Sequence, residues 1–296
     1  MIVVGQVPPY LTVQDAGRTG YRASGVPRSG AMDRWALAMG NFIVGNPADA
    51  AALEWAVGGG SLRFERAATI AFTGAEAEAA LDGVSVPMQE RISVLAGQEL
   101  TIRRLELRRF LYVAIRGGVD CPVVLGSRST YLPAGLGGIG GRRLFRGDTI
   151  AIGNARASRD PGAAAPAGPA PDYNSDVVRV IGVTESRVLE SFFIGTYTVS
   201  LSSDRTGYRL VGDTALDSAD ASITSEPVCA GTIQLPPGGH PIVLMADSPT
   251  IGGYKILGTV ISTDLPILAQ SLPGRRITFA GVSVDVAQQL LRGAES

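Results

Sequence analysis

The sequence predicts a mainly β protein: two barrel-like or sandwich β domains with a few short helices. Three observations carry this reading. Short apolar runs bounded by Gly, Pro, Asn or Asp recur along the chain, as strands do. They are not interleaved with regular helical patterns, so the βαβ alternation of a parallel doubly wound sheet is absent. A Pro/Ala-rich stretch at 154–175, semi-rigid and poor in core residues, divides the chain. The length of 296 residues suits two domains of ~100–200 residues, placed here at 1–153 and 176–296.

Residues 11–30 are dense in polar and glycine positions and fit neither the helical nor the strand period. They read as a long ordered loop, a kind that is usually functional. A helix follows, with Ser29 as its cap and Met32, Trp35, Met39 and Phe42 on its apolar face. Gly45-Asn46-Pro47 is its stop. Between 50 and 152 the pattern turns to strands, with Thr69–Thr73, Ile92–Leu95, Glu99–Ile102 and Leu111–Arg116 as candidates. Ala96-Gly97-Gln98 reads as a hairpin connection. The stretches Gly126 to Thr130 and Gly135 to Arg142 read as glycine-rich turns between strands. They lack both GxGxxG and the Lys-Ser/Thr end of a P-loop. Beyond the linker, Val177–Ile181 is a strand, and Thr184 caps a short helix facing inward through Val188, Leu189, Phe192 and Phe193. Tyr197–Leu201, Thr232–Leu235, Ile242–Met245, Leu257–Ser262 and Arg276–Ala280 are strands. A last helix starts at Ser283, with Ala287, Leu290 and Leu291 inward.

Residue counts exclude whole classes of function. With 26 basic and 27 acidic residues the net charge is −1, so no summed field draws in nucleic acid or an anionic membrane. No apolar run reaches about 18 residues, and the start lacks the cationic and apolar parts of a signal peptide. A cytoplasmic protein is expected. Cys121 and Cys229 lie far apart and outside any ligand spacing, which excludes a common Cys/His zinc site and favours two small core residues. The one histidine, His240, follows Pro-Pro-Gly-Gly and reads as a turn residue rather than a general base. Lys255 is the one lysine among the 26 basic residues, a bias that composition explains, though a retained lysine keeps a compact ammonium where a planar fork would not serve.

Five polar clusters stand out from this lightly charged background. They are Gln14-Asp15-Ala-Gly-Arg18 with Arg28 and Asp33; Ser127-Arg128-Ser129-Thr130; Ser203-Asp204-Arg205-Thr206-Gly207-Tyr208-Arg209; Ser225-Glu226 leading to Gln234; and Asp247 with Gly252-Gly253-Tyr254-Lys255. Each sets a carboxylate or hydroxyl beside a cation and glycine. An arginine fork matches carboxylates and phosphates, and glycine lets backbone N–H groups approach an anion. The alternative is local: Asp and Ser hold turns, and Arg pairs with Asp at the surface. Asp15, Asp33, Asp204, Glu226 and Asp247 are all open as an acid or base.

The run Leu11-Thr-Val-Gln-Asp-Ala-Gly-Arg-Thr-Gly-Tyr-Arg22, continuing through Gly25-Val-Pro-Arg-Ser-Gly-Ala-Met-Asp33, resembles the opening of the allophanate hydrolase subunit 2 family. This is also called the KipA or biotin-dependent carboxyltransferase-like family, and many members are the C-subunit of 5-oxoprolinase. The resemblance continues in Leu125-Gly-Ser-Arg-Ser-Thr130, Ser203-Asp-Arg-Thr-Gly-Tyr-Arg209, Gln234-Leu-Pro-Pro-Gly238, Gly252-Gly-Tyr254 and Asp264-Leu-Pro266. It departs at Ile181-Gly182-Val183-Thr184, His240 and Lys255.

The resemblance implies two cyclophilin-like β-barrel domains. It implies a separately encoded or fused companion, the KipI-like or subunit 1 chain, with a lactam-utilisation subunit as a further partner. The first function it implies is ATP-dependent opening of a cyclic amide, 5-oxoproline, to glutamate, with ATP and Mg2+ shared with those subunits. The second is the carboxyltransferase part of a urea carboxylase-like system. No Met-Lys-Met acceptor is present, so a partner would supply the biotin. The third is a non-catalytic partner that sequesters a KipI-like kinase inhibitor. Together with the clusters, it points to Asp15, Asp204, Glu226 and Lys255 for catalysis. Gln14, Arg18, Arg28, Ser127, Arg128, Ser129, Thr130, Arg205, Gln234, Gly252, Gly253 and Tyr254 are expected to bind substrate or cofactor, and no residue to bind a metal.

Overall fold

A computed structural model describes residues 1–154, 166, 168–183, 186–219 and 221–293. The chain packs as two compact units that are not contiguous in sequence. Met1–Thr19 joins Ser29–Pro166, and Gly20–Arg28 joins Ala167–Ser296. Most of the linker stretch lies outside the described residues.

In the first unit, ten strands form one sheet among the described residues, and every pairing is antiparallel. The path runs Tyr10–Gln14, Ala52–Ala56, Glu99–Ile115, Gly60–Phe64, Ile2–Val4, Thr149–Ile152, Val119–Asp120. Ala68–Leu81 lies along Glu99–Ile115 and also carries Val84–Ser85 and Ile92–Val94. Alternation sorts the side chains. Leu11, Val13, Leu53, Trp55, Phe72, Leu111, Val113 and Ile115 enter the barrel core, while Ala71 and Ala114 face a helix. That helix, α1 (Arg34–Val44), lies on Ala68–Leu81 and Glu99–Ile115. Gly40 allows the close approach: a Cβ there would stand 2.9 Å from Thr73 Oγ1 and 3.1 Å from Ala114 Cβ.

In the second unit, seven strands close on themselves. The order is Val177–Gly182, Arg276–Gly281, Thr196–Val199, Gly207–Gly212, Ile242–Leu244, Thr232–Leu235, Ile251–Val260, and the last pairs back to Val177–Gly182. One pairing, Val177–Gly182 with Arg276–Gly281, is parallel. Ser222–Pro227 pairs outside this ring, on the first half of Ile251–Val260. Among the described residues, three α-helices accompany the barrel: α2 (Arg187–Ile194), α3 (Leu265–Ala269) and α4 (Val284–Arg292). The fold is thus mainly β, with two barrel-like sheets and few helices.

Several local expectations change. The cap of α1 is Asp33, whose carboxylate accepts from Ala36 N at 2.9 Å; Ser29 sits earlier in the loop with φ 55°. The buried face of α1 is Ala36, Leu37, Gly40, Asn41 and Val44, while Trp35, Met39 and Phe42 are half-buried. Residues 11–14 belong to a strand rather than to the loop. Glu99–Ile102 and Leu111–Arg116 are the ends of one long strand, Glu99–Ile115. Residues 96–98 do turn the chain, but Ile92–Val94 pairs with Ala68–Ile70, so no hairpin forms there. Ser186 caps α2, accepting from Leu189 N; Thr184 lies outside the described residues. Leu189 and Phe192 are buried on α2, and Val188 and Phe193 only partly. Ser283 does cap α4, but no residue of that helix is buried. Cys121 is buried as expected, and Cys229 is exposed.

Candidate functional site

The polar clusters divide between the two units: one group forms around Asp15 in the first, and several lie on separate barrel strands in the second. In the first unit, the loop after Tyr10–Gln14 meets the loop Ser127–Thr130 around Asp15. Asp15 Oδ1 accepts from Ser127 Oγ at 2.6 Å, from Gly17 N at 2.8 Å and from Ser129 Oγ. Asp15 Oδ2 accepts from Arg128 N at 2.6 Å. The Asp15 backbone is used too: its N–H donates to Ser129 Oγ at 3.1 Å, and its carbonyl accepts from Ala31 N at 2.9 Å. Ser129 N donates to Ser127 Oγ at 3.0 Å, and Arg18, itself buried, donates to Ser129 O. Gln14 Nε2 donates to Thr130 O at 3.1 Å and to Thr12 Oγ1 at 3.0 Å. Locally the Asp15 carboxylate closes an Asx turn on the N–H two residues on, and Gly17, at φ 85°, then takes the chain out of it through the left-handed region.

Arg128 leaves this group outward. Its Nε donates to Cys121 O at 3.0 Å, and its Nη2 reaches Asp120 Oδ1 at 3.2 Å. The glycine run that follows packs inward: a Cβ on Gly137 would lie 2.0 Å from Ser129 O. Gly137, Gly138 and Gly141 are closely packed, whereas Gly135 and Gly140 have room around them. Burial pushes the Cys121 thiol up to about 11, against a smaller opposing effect of Arg128. A buried network lies under the loop before α1. Tyr112 donates to Glu54 Oε2 at 2.7 Å, Met32 N donates to the same oxygen at 2.8 Å, and Asp33 N donates to Tyr112 Oη at 2.8 Å. Burial raises the Tyr112 phenol well above its ordinary value, and the neighbouring Glu54 and Asp33 add to this.

In the second unit, the barrel strands bring Glu226, Gln234 and the Gly252–Lys255 run together. Glu226 pairs with Gly252, and Leu235 with Lys255. The Gln234 carboxamide is buried and fills the space a Gly252 side chain would need, 2.3 Å from that Cβ position. Glu226 and Tyr254 are exposed, and Lys255 is half-buried. Asp204 and Arg205 stand at the start of Gly207–Gly212, two strands away. Asp204 Oδ1 accepts from Thr206 N at 2.8 Å and Gly207 N at 3.2 Å, holding a turn. Arg205 is buried and binds Asp247 through two bonds, Nε to Oδ2 at 2.8 Å and Nη2 to Oδ1 at 2.9 Å. Arg28 belongs to this unit by packing; burial lowers its guanidinium from the usual value. Arg22, from the same short excursion, donates to Val228 O. His240 is exposed after its turn. Among the described residues, no three His, Cys, Asp or Glu side chains are placed to hold a metal ion.

Sequence reasoning passed over Asp120, the Cys121 carbonyl and Arg22. The first two lie eight and seven residues before Arg128, a local spacing that a search for loop partners would have met.

Residues 24–281 match the family described as carboxyltransferase domain, subdomain A and B. The chain belongs to that family. It is 37% identical over 298 residues to the 5-oxoprolinase C-subunit of Escherichia coli, covering 97% of this chain and 93% of the relative. With the 5-oxoprolinase C-subunit of Haemophilus influenzae it shares 36% identity, covering 100% of this chain and 96% of the relative. The solved urea carboxylase of Kluyveromyces lactis superposes with a TM-score of 0.86 at 28% identity, over 98% of this chain but 28% of that one. This carboxyltransferase-family chain therefore spans nearly all of the bacterial subunits and about a quarter of the yeast enzyme.

Proposed function

We propose that the chain is a subunit of an ATP-dependent 5-oxoprolinase that opens 5-oxoproline to glutamate together with a KipI-like subunit and a lactam-utilisation subunit. The observation that carries this reading is co-extension: the chain and the bacterial C-subunits match over nearly their full lengths. In the reaction the lactam C–N bond breaks, a water oxygen joins the carbonyl carbon, and the nitrogen takes up a proton. A lactam carbonyl is a poor electrophile, which is why ATP is needed. In this reading ATP and its Mg2+ are shared with the companion subunits. This chain contributes orientation, through its arginine-bearing loops. The test is reconstitution. Glutamate release coupled to ATP hydrolysis should require this chain. A complete set that releases no glutamate, under conditions where a related set works, overturns the reading.

A carboxyltransferase role is the second reading, favoured by the fold match to urea carboxylase. Lys255 lies in Tyr-Lys-Ile, so biotin would arrive on a partner. Discharge of a carboxylated biotin carrier onto urea in the presence of this chain would support it, and an unchanged carrier would remove it.

A further inference from the structure

At the Asp15 carboxylate the hydrogen bonds run one way. Three donors converge on Oδ1 and one on Oδ2, and both serine hydroxyls are spent on the same carboxylate. A carboxylate so occupied is poorly placed to take a proton from water. It is well placed to hold a loop. Of the four residues Ser127–Thr130, three are buried, and Arg128 alone turns its side chain outward. Every polar group of Arg128 nearer than its guanidinium tips is tied. Its N–H goes to Asp15 Oδ2, its carbonyl accepts from Gly138 N at 2.8 Å, and its Nε goes to Cys121 O. The one carboxylate at its tips, Asp120, is 57% exposed and 3.2 Å away, a weak surface partner. A guanidinium fixed in this way has little rotamer freedom left to lose when an anion binds.

We infer that Asp15 is a positioning residue acting through Arg128, and that the Arg128 guanidinium is the seat of the substrate's carboxylate. This rests on the reading of the chain as an oxoprolinase subunit, whose lactam substrate carries one carboxylate. Asp15 sets the height and direction of the fork; Asp120 holds it in place until the anion arrives.

The test is equilibrium titration of the full chain with 5-oxoproline and with 2-pyrrolidinone, the same ring without the carboxylate. The wild type binds 5-oxoproline more tightly. Arg128→Ala loses ~10-fold or more of that preference, as expected for a charge-assisted pair, and Arg128→Lys restores part of it. Asp15→Asn, similar in volume, shows the same loss, and the double variant is no worse than either single one. Asp120→Asn, which removes a competing carboxylate, tightens 5-oxoproline binding. Circular dichroism and thermal melting establish that each variant is folded. In the reconstituted assembly, Asp15→Asn and Arg128→Ala raise KM and leave kcat in place. The inference is overturned if the wild type does not discriminate the two lactams, if Asp15→Asn keeps the preference, or if the losses multiply. It is equally overturned if Asp15→Asn lowers kcat and moves the acid limb of the pH profile, the signature of a base. An assembly that makes glutamate while Arg128→Ala leaves KM unmoved sinks this inference alone. An assembly that makes no glutamate sinks the oxoprolinase reading, and the titration still judges Arg128.

Discussion

In the loop group of the first unit, Asp15 is met by two hydroxyls and two peptide N–H groups. In the second unit, Asp247 is met by both nitrogens of one arginine fork, and both partners are buried. The two regions draw on the same residue types, acid, arginine, serine and glycine. They differ in whether charge meets charge or charge meets dipoles. The first arrangement ties several chain segments to one carboxylate and leaves an arginine facing out. The second ties its arginine internally to one carboxylate.

This contrast can be broken most severely at the buried pair. Arg205→Leu or Asp247→Leu alone should cost ~3–5 kcal/mol, because an unpaired charge stays buried, and the double leucine variant should recover much of it. Urea unfolding of the three variants measures this; additive losses would mean that the pair is not a unit. Next come the glycines that bracket each group. Gly137→Ala forces a Cβ onto Ser129 O at a φ of 68° and should cost ~1–3 kcal/mol. Gly252→Ala meets side chains only, the carboxamide end of Gln234 and Val228 Cγ1 at 3.3 Å, and should cost less. Equal losses would erase the distinction between a backbone obstacle and a side-chain one.

The two thiols sharpen the comparison further. With the Cys121 thiol near 11, only ~1 in 1,000 is ionised at pH 8. Iodoacetamide should therefore label exposed Cys229 in the folded protein and reach Cys121 only after unfolding, as peptide mass spectrometry would show. Similar labelling rates would contradict the burial of Cys121. The smallest effect belongs to Asp148, bound by Arg142 at 2.7 and 2.9 Å. The Arg142 bond holds the Asp148 carboxyl below its usual range. A depressed folded value means stability that is present above the unfolded value and is lost as pH falls through the folded one. Asp148→Asn should lower the melting temperature slightly at neutral and alkaline pH and flatten its fall through that acid range, so that variant and wild type converge at the acid end.

Strands rich in apolar and β-branched residues were legible in the sequence: Val177–Gly182, Thr232–Leu235 and Ile242–Leu244 came out within a residue or two. Glu99–Ile115 was read as two pieces because its middle, Arg103 to Arg109, is charged and bulged, with Leu107 at φ 59°. Pairing partners, not side-chain alternation, hold that stretch in the sheet. The cap of α1 was misplaced because Ser29 and Asp33 are both good caps, and the buried bond that Asp33 N–H donates to Tyr112 Oη helps to select Asp33. Helix α1 misled for a similar reason: apolar residues occupy both of its faces, and the sheet chooses the one with Gly40. The site residues were visible as clusters, because acid, arginine and glycine crowd together in a lightly charged chain. Their pairings were not, since Asp15 finds Ser127 112 residues away and Arg205 finds Asp247 42 residues away.

The excursion of residues 20–28 bears on how the molecule could ever be taken apart. Nine residues, 20 through 28, are packed with the second unit while the chain on either side of them builds the first. A scission at the alanine- and proline-rich joint would release a C-terminal piece without Arg22, the donor to Val228 O. The N-terminal piece would keep nine residues that no longer have their own packing partners. Neither half is a transplantable module as the gene writes it.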